Sequence, residues 1–425
     1  MAKIKLLKAR EILDSRGNPT IETQIILDNE LVVKASVPAG ASLGNYEAVE
    51  LRDNDPKRYG GMGVLGAVAN VNQVLAKKVI GLDPIQQMRI DEILVTLDGT
   101  ENKSKLGANA ILSVSQAVCK AGAAAKKIPI YLHVRDTFFP GKKNLKIPTA
   151  TFNLINGGKH GAGNLNFQEF HVIPKSEMEF PVSLRVAEEI YQTLKKVLMR
   201  HGADQSVGDE GGFAPHLFTN VDALEVLKEA IGESGYNLEE DVFLGLDVAA
   251  SQFYEGGKYK IRDKTMPMDT GELVEYYRDI NSQYHLMLLE DPFHEDDWKG
   301  WKGITKDLPK TIVVGDDLLA TNKTRILKAI KEKACSGVLV KPNQIGTISE
   351  AAEVIRVSHE NRFQTVVSHR SGETNDDFIA DFAVGTGAGF VKFGAPARGE
   401  RVSKYNRLLK IESELELAEK GVPAT

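Results

Sequence analysis

Cysteine is nearly missing from this chain. Its two copies, Cys119 and Cys335, lie far apart and outside any metal-binding spacing. That excludes a disulfide framework and a thiolate metal site, and predicts buried thiols in a reducing compartment. Long apolar runs are missing too. Residues 1–8 interleave lysines with apolar side chains, which excludes the unbroken core of a signal peptide, and no run is long enough to cross a bilayer. The expected address is cytoplasmic, with no membrane partner. Nor is there an excess of positive charge. Against 58 Asp and Glu there are only 53 Lys and Arg, a net charge of −5, which argues against a nucleic-acid surface. The pairs Lys126-Lys127 and Lys142-Lys143 read as solvated turns.

What is present is an ordinary globular composition, 42% hydrophobic and 26% charged, over 425 residues, more than one core usually spans. Two domains are expected. Ile21, Thr23, Ile25 and Leu27 alternate along Pro19–Leu27. A polar turn, Asp28-Asn29-Glu30, leads into the apolar Leu31–Val37, so the pair reads as a β-hairpin. Helical patterns follow over Val64–Val79, Pro84–Leu97 and the alanine-dense Leu106–Lys126. This first part, residues 1–138, is expected to be an α+β domain. The segment Phe139–Asn144 reads as a linker, and residues 145–425 as the second domain.

There a new rhythm begins. Short apolar runs at Ile147–Ile155, Val242–Val248, Leu286–Leu289, Ile312–Gly315, Gly337–Val340, Thr365–Val367 and Gly389–Phe393 alternate with helix-length amphipathic segments. From Glu290, the next polar strand ends are Asp316, Lys341, His369 and Lys392, at intervals of 23 to 28 residues. Strand and helix repeating near 25 residues is the mark of βα units and a parallel sheet, closing as a barrel. The C-terminal ends of barrel strands face one mouth. Asp247, Glu290, Asp316, Lys341, His369 and Lys392 are therefore expected there together. For any one of them a helix cap or loop charge is as good an explanation. The succession of six favours function.

Three converging carboxylates suit a hard divalent cation such as Mg²⁺. Without one they would repel, and one would protonate. A lysine near a dication and a second lysine is expected to lose its proton readily enough to act as a base. Glu210, among the small residues of Val207–Pro215, and Glu169, beside Gln168 and after Asn156–His160, could with His160 supply acid chemistry opposite that base. The glycine clusters alone mark only turns.

These residues carry a resemblance. The runs Ile12–Thr20 (ILDSRGNPT), Asn102–Ser115 (NKSKLGANAILSVS), Asn153–His160 (NLINGGKH), Val207–Pro215 (VGDEGGFAP), Leu246–Ser251 (LDVAAS), Leu289–Phe293 (LEDPF), Glu295–Trp298 (EDDW), Val314–Leu318 (VGDDL), Leu339–Thr347 (LVKPNQIGT) and Ser368–Thr374 (SHRSGET) are similar to those of the enolase family, in order, over nearly the whole chain. The resemblance implies an N-terminal α+β domain followed by an irregular (β/α)₈ barrel. It implies Mg²⁺-dependent interconversion of 2-phosphoglycerate and phosphoenolpyruvate. Asp247, Glu290 and Asp316 would hold a high-affinity Mg²⁺. Lys341 would be the base at C2, and Glu210, helped by Glu169, the acid at C3. His160 and His369 would close around the substrate. Arg370 and Ser371 would hold its phosphate, Lys392 its carboxylate, and Gln168 would lie among the polar groups nearby. Ser42, in the loop Pro38–Glu47, would contact substrate and ligate a second Mg²⁺ arriving with it. A homodimer or homo-octamer is implied, with Glu22 reaching across the interface.

Some relatives in the wider superfamily, whose members act on sugar acids or muconate, carry Lys-x-Lys before the first metal Asp. None lies between Val207 and Asp247 here, and Lys258-Tyr259-Lys260 reads as a hairpin. A non-catalytic relative would be free to lose acid, base or ligands, and none is lost. Departures from the family pattern are Ala39, Leu43 and Tyr46 in the loop, Phe393 after Lys392, and Lys410 where Glu22's usual arginine partner falls. A ring at Phe393 is expected to disturb Lys392, and Lys410 to weaken the interface pair.

Overall fold

The computed structural model describes residues 2–41, 44–161 and 165–421. Three antiparallel strands open the chain: β1 (Ile4–Leu13), β2 (Pro19–Leu27) and β3 (Val32–Ser36). β2 and β3 are the expected hairpin, and Ile21, Thr23, Ile25 and Leu27 are fully buried on one face. The sequence pattern does not announce β1. A register shift between Ile4 and Leu6 breaks its alternation, and lysines and arginines cover its outer face. Helix Ala108–Lys126 packs on this sheet, where its small side chains allow close approach and Ser113 Oγ meets Thr23 Oγ1 at 2.7 Å.

The second part is a closed eight-stranded barrel. Its strands in chain order are β4 (Thr149–Asn156), β5 (Glu169–Pro174), β6 (Val242–Asp247), then, past a small hairpin of β7 (Tyr254–Glu255) and β8 (Lys258–Tyr259), β9 (Leu288–Glu290), β10 (Ile312–Gly315), β11 (Gly337–Val340), β12 (Gln364–Ser368) and β13 (Phe390–Lys392). The hairpin accounts for Lys258-Tyr259-Lys260. The sheet is not wholly parallel. β5 runs antiparallel to both β4 and β6. Only about a dozen residues, with a short 3-10 turn at Gly158–His160 among those described, separate β4 from β5, where a parallel return would need a crossover of a dozen or more, usually a helix. Reversal puts the first residue of β5, Glu169, at the mouth.

Period-two alternation positions the rest. Ile173, Leu288, Val314, Leu339, Val366 and Phe390, from six barrel strands, form one buried cluster of their own. Two residues beyond five of these come Glu290, Asp316, Lys341, Ser368 and Lys392. The inward-facing row that is apolar inside the barrel thus becomes charged or polar at its rim. The first domain is pinned beside that rim. Asp91 accepts from Ser349 N and Oγ at 3.1 and 2.6 Å, Lys120 pairs with Asp376 at 2.7 Å, and Ala39 exchanges backbone hydrogen bonds with Gly372.

One buried group in the first domain sets an acid limit. His133, on helix Ile130–Phe138, is fully buried, and neither ring nitrogen has a hydrogen-bond partner among the described residues. Burial pushes its pKa down to about 4. Between that value and the ordinary 6.5 the unfolded chain binds the extra proton, so stability is complete above pH ~6.5 and falls as pH drops toward ~4. Denaturant titrations should show a loss of about 2 kcal/mol from this group between pH ~6.5 and ~5. A His133→Asn variant should lack that component.

Candidate active site

Strand register draws the rim residues together. Glu169 pairs with Asp247, Asp247 with Glu290, and Ser368 with Lys392, which lies beside Thr151. A polar cavity at the mouth is lined by His160, Gln168, Glu169, Glu210, Asp247, Asp316, Lys341, His369, Arg370, Ser371 and Lys392. Twelve of the thirteen residues expected at the site are described, and the twelfth, Glu290, touches Lys392. Ser42, and with it the departure at Leu43, lies outside the described residues.

Two ammonium groups organise the carboxylates. Lys392 Nζ lies 2.9 Å from both oxygens of Glu290, 3.0 Å from Asp247 Oδ2 and 3.3 Å from Glu169 Oε1. Burial works against its charge, but these carboxylates outweigh it and hold the proton well above the ordinary lysine range. Burial and the neighbouring Asp247 push Glu290 well up, while Lys392, overcoming burial, holds Asp247 down. Lys341 Nζ meets Asp316 Oδ2 at 2.5 Å, and Gln344 donates to the other oxygen at 2.8 Å. Burial disfavours the Lys341 ammonium, yet Asp316 keeps its proton above the usual range. The expected ready loss of that proton is therefore not a property of this state. The Asp316 carboxylate next to it is what holds the proton in place.

Ligand atoms of Asp291, Asp316 and Asp317 lie within 4.8 Å of one another, as do those of His160, Glu169 and Glu210. Asp247, Glu290 and Asp316 do not form one such group: Lys392 bridges the first two, and Lys341 pairs with the third. Burial and repulsion from Asp316 push Asp317 up to about 7.

On the opposite side, His160 Nδ1 lies 3.3 Å from Glu210 Oε1 and 3.7 Å from Glu169 Oε1. Asn153 Nδ2 donates to Glu210 at 3.1 Å. Burial and the Glu210 charge push Glu169 well up, whereas His160 outweighs burial at Glu210 and holds it well down. The two carboxylates are thus driven in opposite directions, Glu169 toward holding a proton and Glu210 toward giving one up. Glycines make this approach possible. A Cβ at Gly212 would stand 2.7 Å from Asn156 Oδ1, and one at Gly208 2.3 Å from the His160 carbonyl oxygen.

Some contributors escape a sequence reading. Glu47, in the Pro38–Glu47 loop, forms a buried ion pair with Arg370 at 2.8 Å. Asp291 accepts from the backbone N–H of Asp316 and Asp317 at 2.9 and 2.8 Å. His171 donates to or accepts from Glu169 at 2.8 Å; its spacing of two from Glu169 on a strand was the available signal. The loop departures have structural roles. Ala39 acts through its backbone alone. The Tyr46 hydroxyl donates to Asp296 at 2.9 Å, and the Arg325 guanidinium carbon lies 3.4 Å over its ring.

Phe393 does not crowd Lys392. Alternation that turns Lys392 inward turns Phe393 outward, where it is fully buried against Tyr405 with ring centroids 6.0 Å apart. Phe393→Thr should therefore cost about 3–5 kcal/mol of stability, as large-to-small core changes do. Its kcat/KM, assayed below the unfolding transition, should stay within about threefold of the parent, below 0.7 kcal/mol.

Acid residues gathered on one barrel rim and matched with buried ammonium groups mark the mouth as the candidate active site of a barrel enzyme. Two family models divide the chain between them: "Enolase, N-terminal domain" matches residues 4–134 and "Enolase, C-terminal TIM barrel domain" matches residues 144–422. The enolase of Elusimicrobium minutum (strain Pei191) is 48% identical over 416 residues, 98% of this chain and 97% of that protein. The enolase of Ehrlichia canis (strain Jake) is 47% identical over 417 residues, with the same coverage. The chain belongs to the enolase family, the phosphopyruvate hydratases. No helix among the described residues is long and apolar enough to cross a membrane.

Proposed function

We propose that these residues carry out the reversible dehydration of 2-phosphoglycerate to phosphoenolpyruvate, with Lys341 as base and Glu210 and Glu169 as acid pair. Carrying the reading is their placement on opposite sides of one buried, charged mouth. Asp247, Glu290 and Asp316 would hold Mg²⁺. All-oxygen donors fit a hard dication, and the Lys392 ammonium already bridging two of them supports the fit. When bound, Mg²⁺ supplies Lewis-acid stabilisation of negative charge on the substrate carboxylate, and a second ion would come with substrate, Ser42 contributing a ligand.

The C2 proton lies beside a carboxylate and is weakly acidic. Lys341 becomes able to take it once Asp316 is engaged elsewhere, since that carboxylate is what keeps the ammonium charged. Lys392 offers its charge to the substrate carboxylate as negative charge grows there. At C3, the Glu169–Glu210 acid pair gives a proton to the departing hydroxyl, which leaves as water. His160 keeps Glu210 oriented, and His369 closes the same side. Arg370 and Ser371 take the phosphate, for which guanidinium offers a charge-assisted fork, and Gln168 completes the polar lining.

Residues 1–138 are read as the capping domain and 145–425 as the barrel that carries the site. A cytoplasmic homodimer or homo-octamer fits the family. In this chain Glu22 is largely buried and accepts from Arg10 at 2.8 Å, whereas the Lys410 side chain is two-thirds exposed, so Lys410 is the member of the pair that can reach a second copy. The test is direct: purified protein given 2-phosphoglycerate and Mg²⁺ should form phosphoenolpyruvate. Well-folded protein that forms none contradicts the reading.

A further inference from the structure

The side chain that fixes the chemistry of His369 lies outside the mouth. Arg401, on the C-terminal helix Gly399–Glu419, is fully buried. Its Nη1 meets His369 Nδ1 at 2.7 Å and donates to the Arg370 carbonyl oxygen at 2.6 Å. Its Nη2 donates to the Ser371 carbonyl at 2.6 Å and to the Asp209 carbonyl at 3.0 Å. One guanidinium thus ties the loop after β12, with His369, Arg370 and Ser371, to the loop that carries Glu210. Packing is tight enough that a Cβ on Gly394 would stand 3.0 Å from Arg401 Cδ, 3.1 Å from His369 Cε1 and 2.7 Å from the Glu210 carbonyl oxygen.

Arginine only donates. Nδ1 of His369 must therefore be the acceptor, and the proton of a neutral ring must be on Nε2. That nitrogen faces Glu210 Oε2 at 3.6 Å and has no hydrogen-bond partner among the described residues. We propose that Arg401 is a positioning residue, which locks His369 as the neutral Nε2–H tautomer and aims that donor at Glu210 and the substrate. His369 is then a hydrogen-bond donor and not a proton source, and the acid pair Glu169–Glu210 supplies the proton alone. The inference rests on the enolase reading of the site for its catalytic consequence, but not for the tautomer itself.

Nitrogen NMR of the histidine rings in the full-length protein tests the tautomer, with His369 assigned from the spectrum of His369→Asn. A protonated Nε2 with unprotonated Nδ1 is expected. A protonated Nδ1, or a doubly protonated ring at neutral pH, overturns the proposal. A double-mutant cycle tests the consequence. Arg401→Met should lower kcat by about 100-fold, the scale of a misplaced catalytic group. In a His369→Asn background the same change should cost under about threefold. Equal losses in both backgrounds would show that Arg401 serves the loops and not His369. Wild-type protein that forms no phosphoenolpyruvate would sink the enolase reading while leaving the ring measurement intact, so the two failures are distinguishable. Should Arg401→Met not fold, the wild-type spectrum still decides.

Discussion

Lys341→Ala should lower kcat by about 10²- to 10⁴-fold, the range that a positioned general base contributes. The residue follows β11, two positions beyond the inward-facing Leu339, and its amine is held 2.5 Å from Asp316. Charge and chemistry can be separated. Lys341→Arg keeps a cation beside Asp316, but guanidinium does not deprotonate and cannot act as the base. Both variants should therefore lose turnover alike. Their stabilities should differ. Alanine leaves Asp316 the Gln344 amide as its one side-chain partner among the described residues, and losing one member of a buried pair costs about 3–5 kcal/mol. A Lys341→Arg enzyme with near-parent kcat would remove Lys341 from the role of base.

Chelation should abolish turnover, and Mg²⁺ should restore it. Like charges crowd the site: burial and Asp247 push Glu290 up, and burial and Asp316 push Asp317 to about 7. An ion bound only by the folded chain stabilises it by about 2.7 kcal/mol at 100 times its dissociation constant. The thermal midpoint should rise with Mg²⁺ concentration in the absence of any substrate. Glu290→Gln should weaken both responses together, since a neutral amide replaces an anionic ligand. A midpoint insensitive to Mg²⁺ in the parent protein would contradict the assignment of Asp247, Glu290 and Asp316 as ligands.

Alternation made much of this legible. Val314 and Asp316, Leu339 and Lys341, and Phe390 and Lys392 are each two apart, so an apolar run ending in a charge announces both a strand and what stands at its rim. The same rule, applied one residue further, faces Phe393 away from Lys392. The rule fails where a strand is reversed or bulged. Glu169 opens β5 instead of closing it, and β1 hides behind its register shift. It also fails for groups that reach the site from elsewhere. Arg401 looks like a surface charge on a terminal helix, yet it is buried against two loops some 30 and 190 residues away. Glu47 reads as a loop acid until Arg370 is seen beside it. Motif resemblance supplied the roles of Arg370 and Ser371, which no periodicity could reach.

The division of labour between base and acid is the central claim, and isotope exchange tests it most directly. 2-Phosphoglycerate incubated in heavy water with wild-type protein and Mg²⁺ should exchange its C2 proton. Glu210→Gln should retain that exchange while forming little phosphoenolpyruvate, because Lys341 is untouched. Lys341→Ala should abolish the exchange. Exchange that persists in Lys341→Ala and disappears in Glu210→Gln would reverse the assignment and contradict the account.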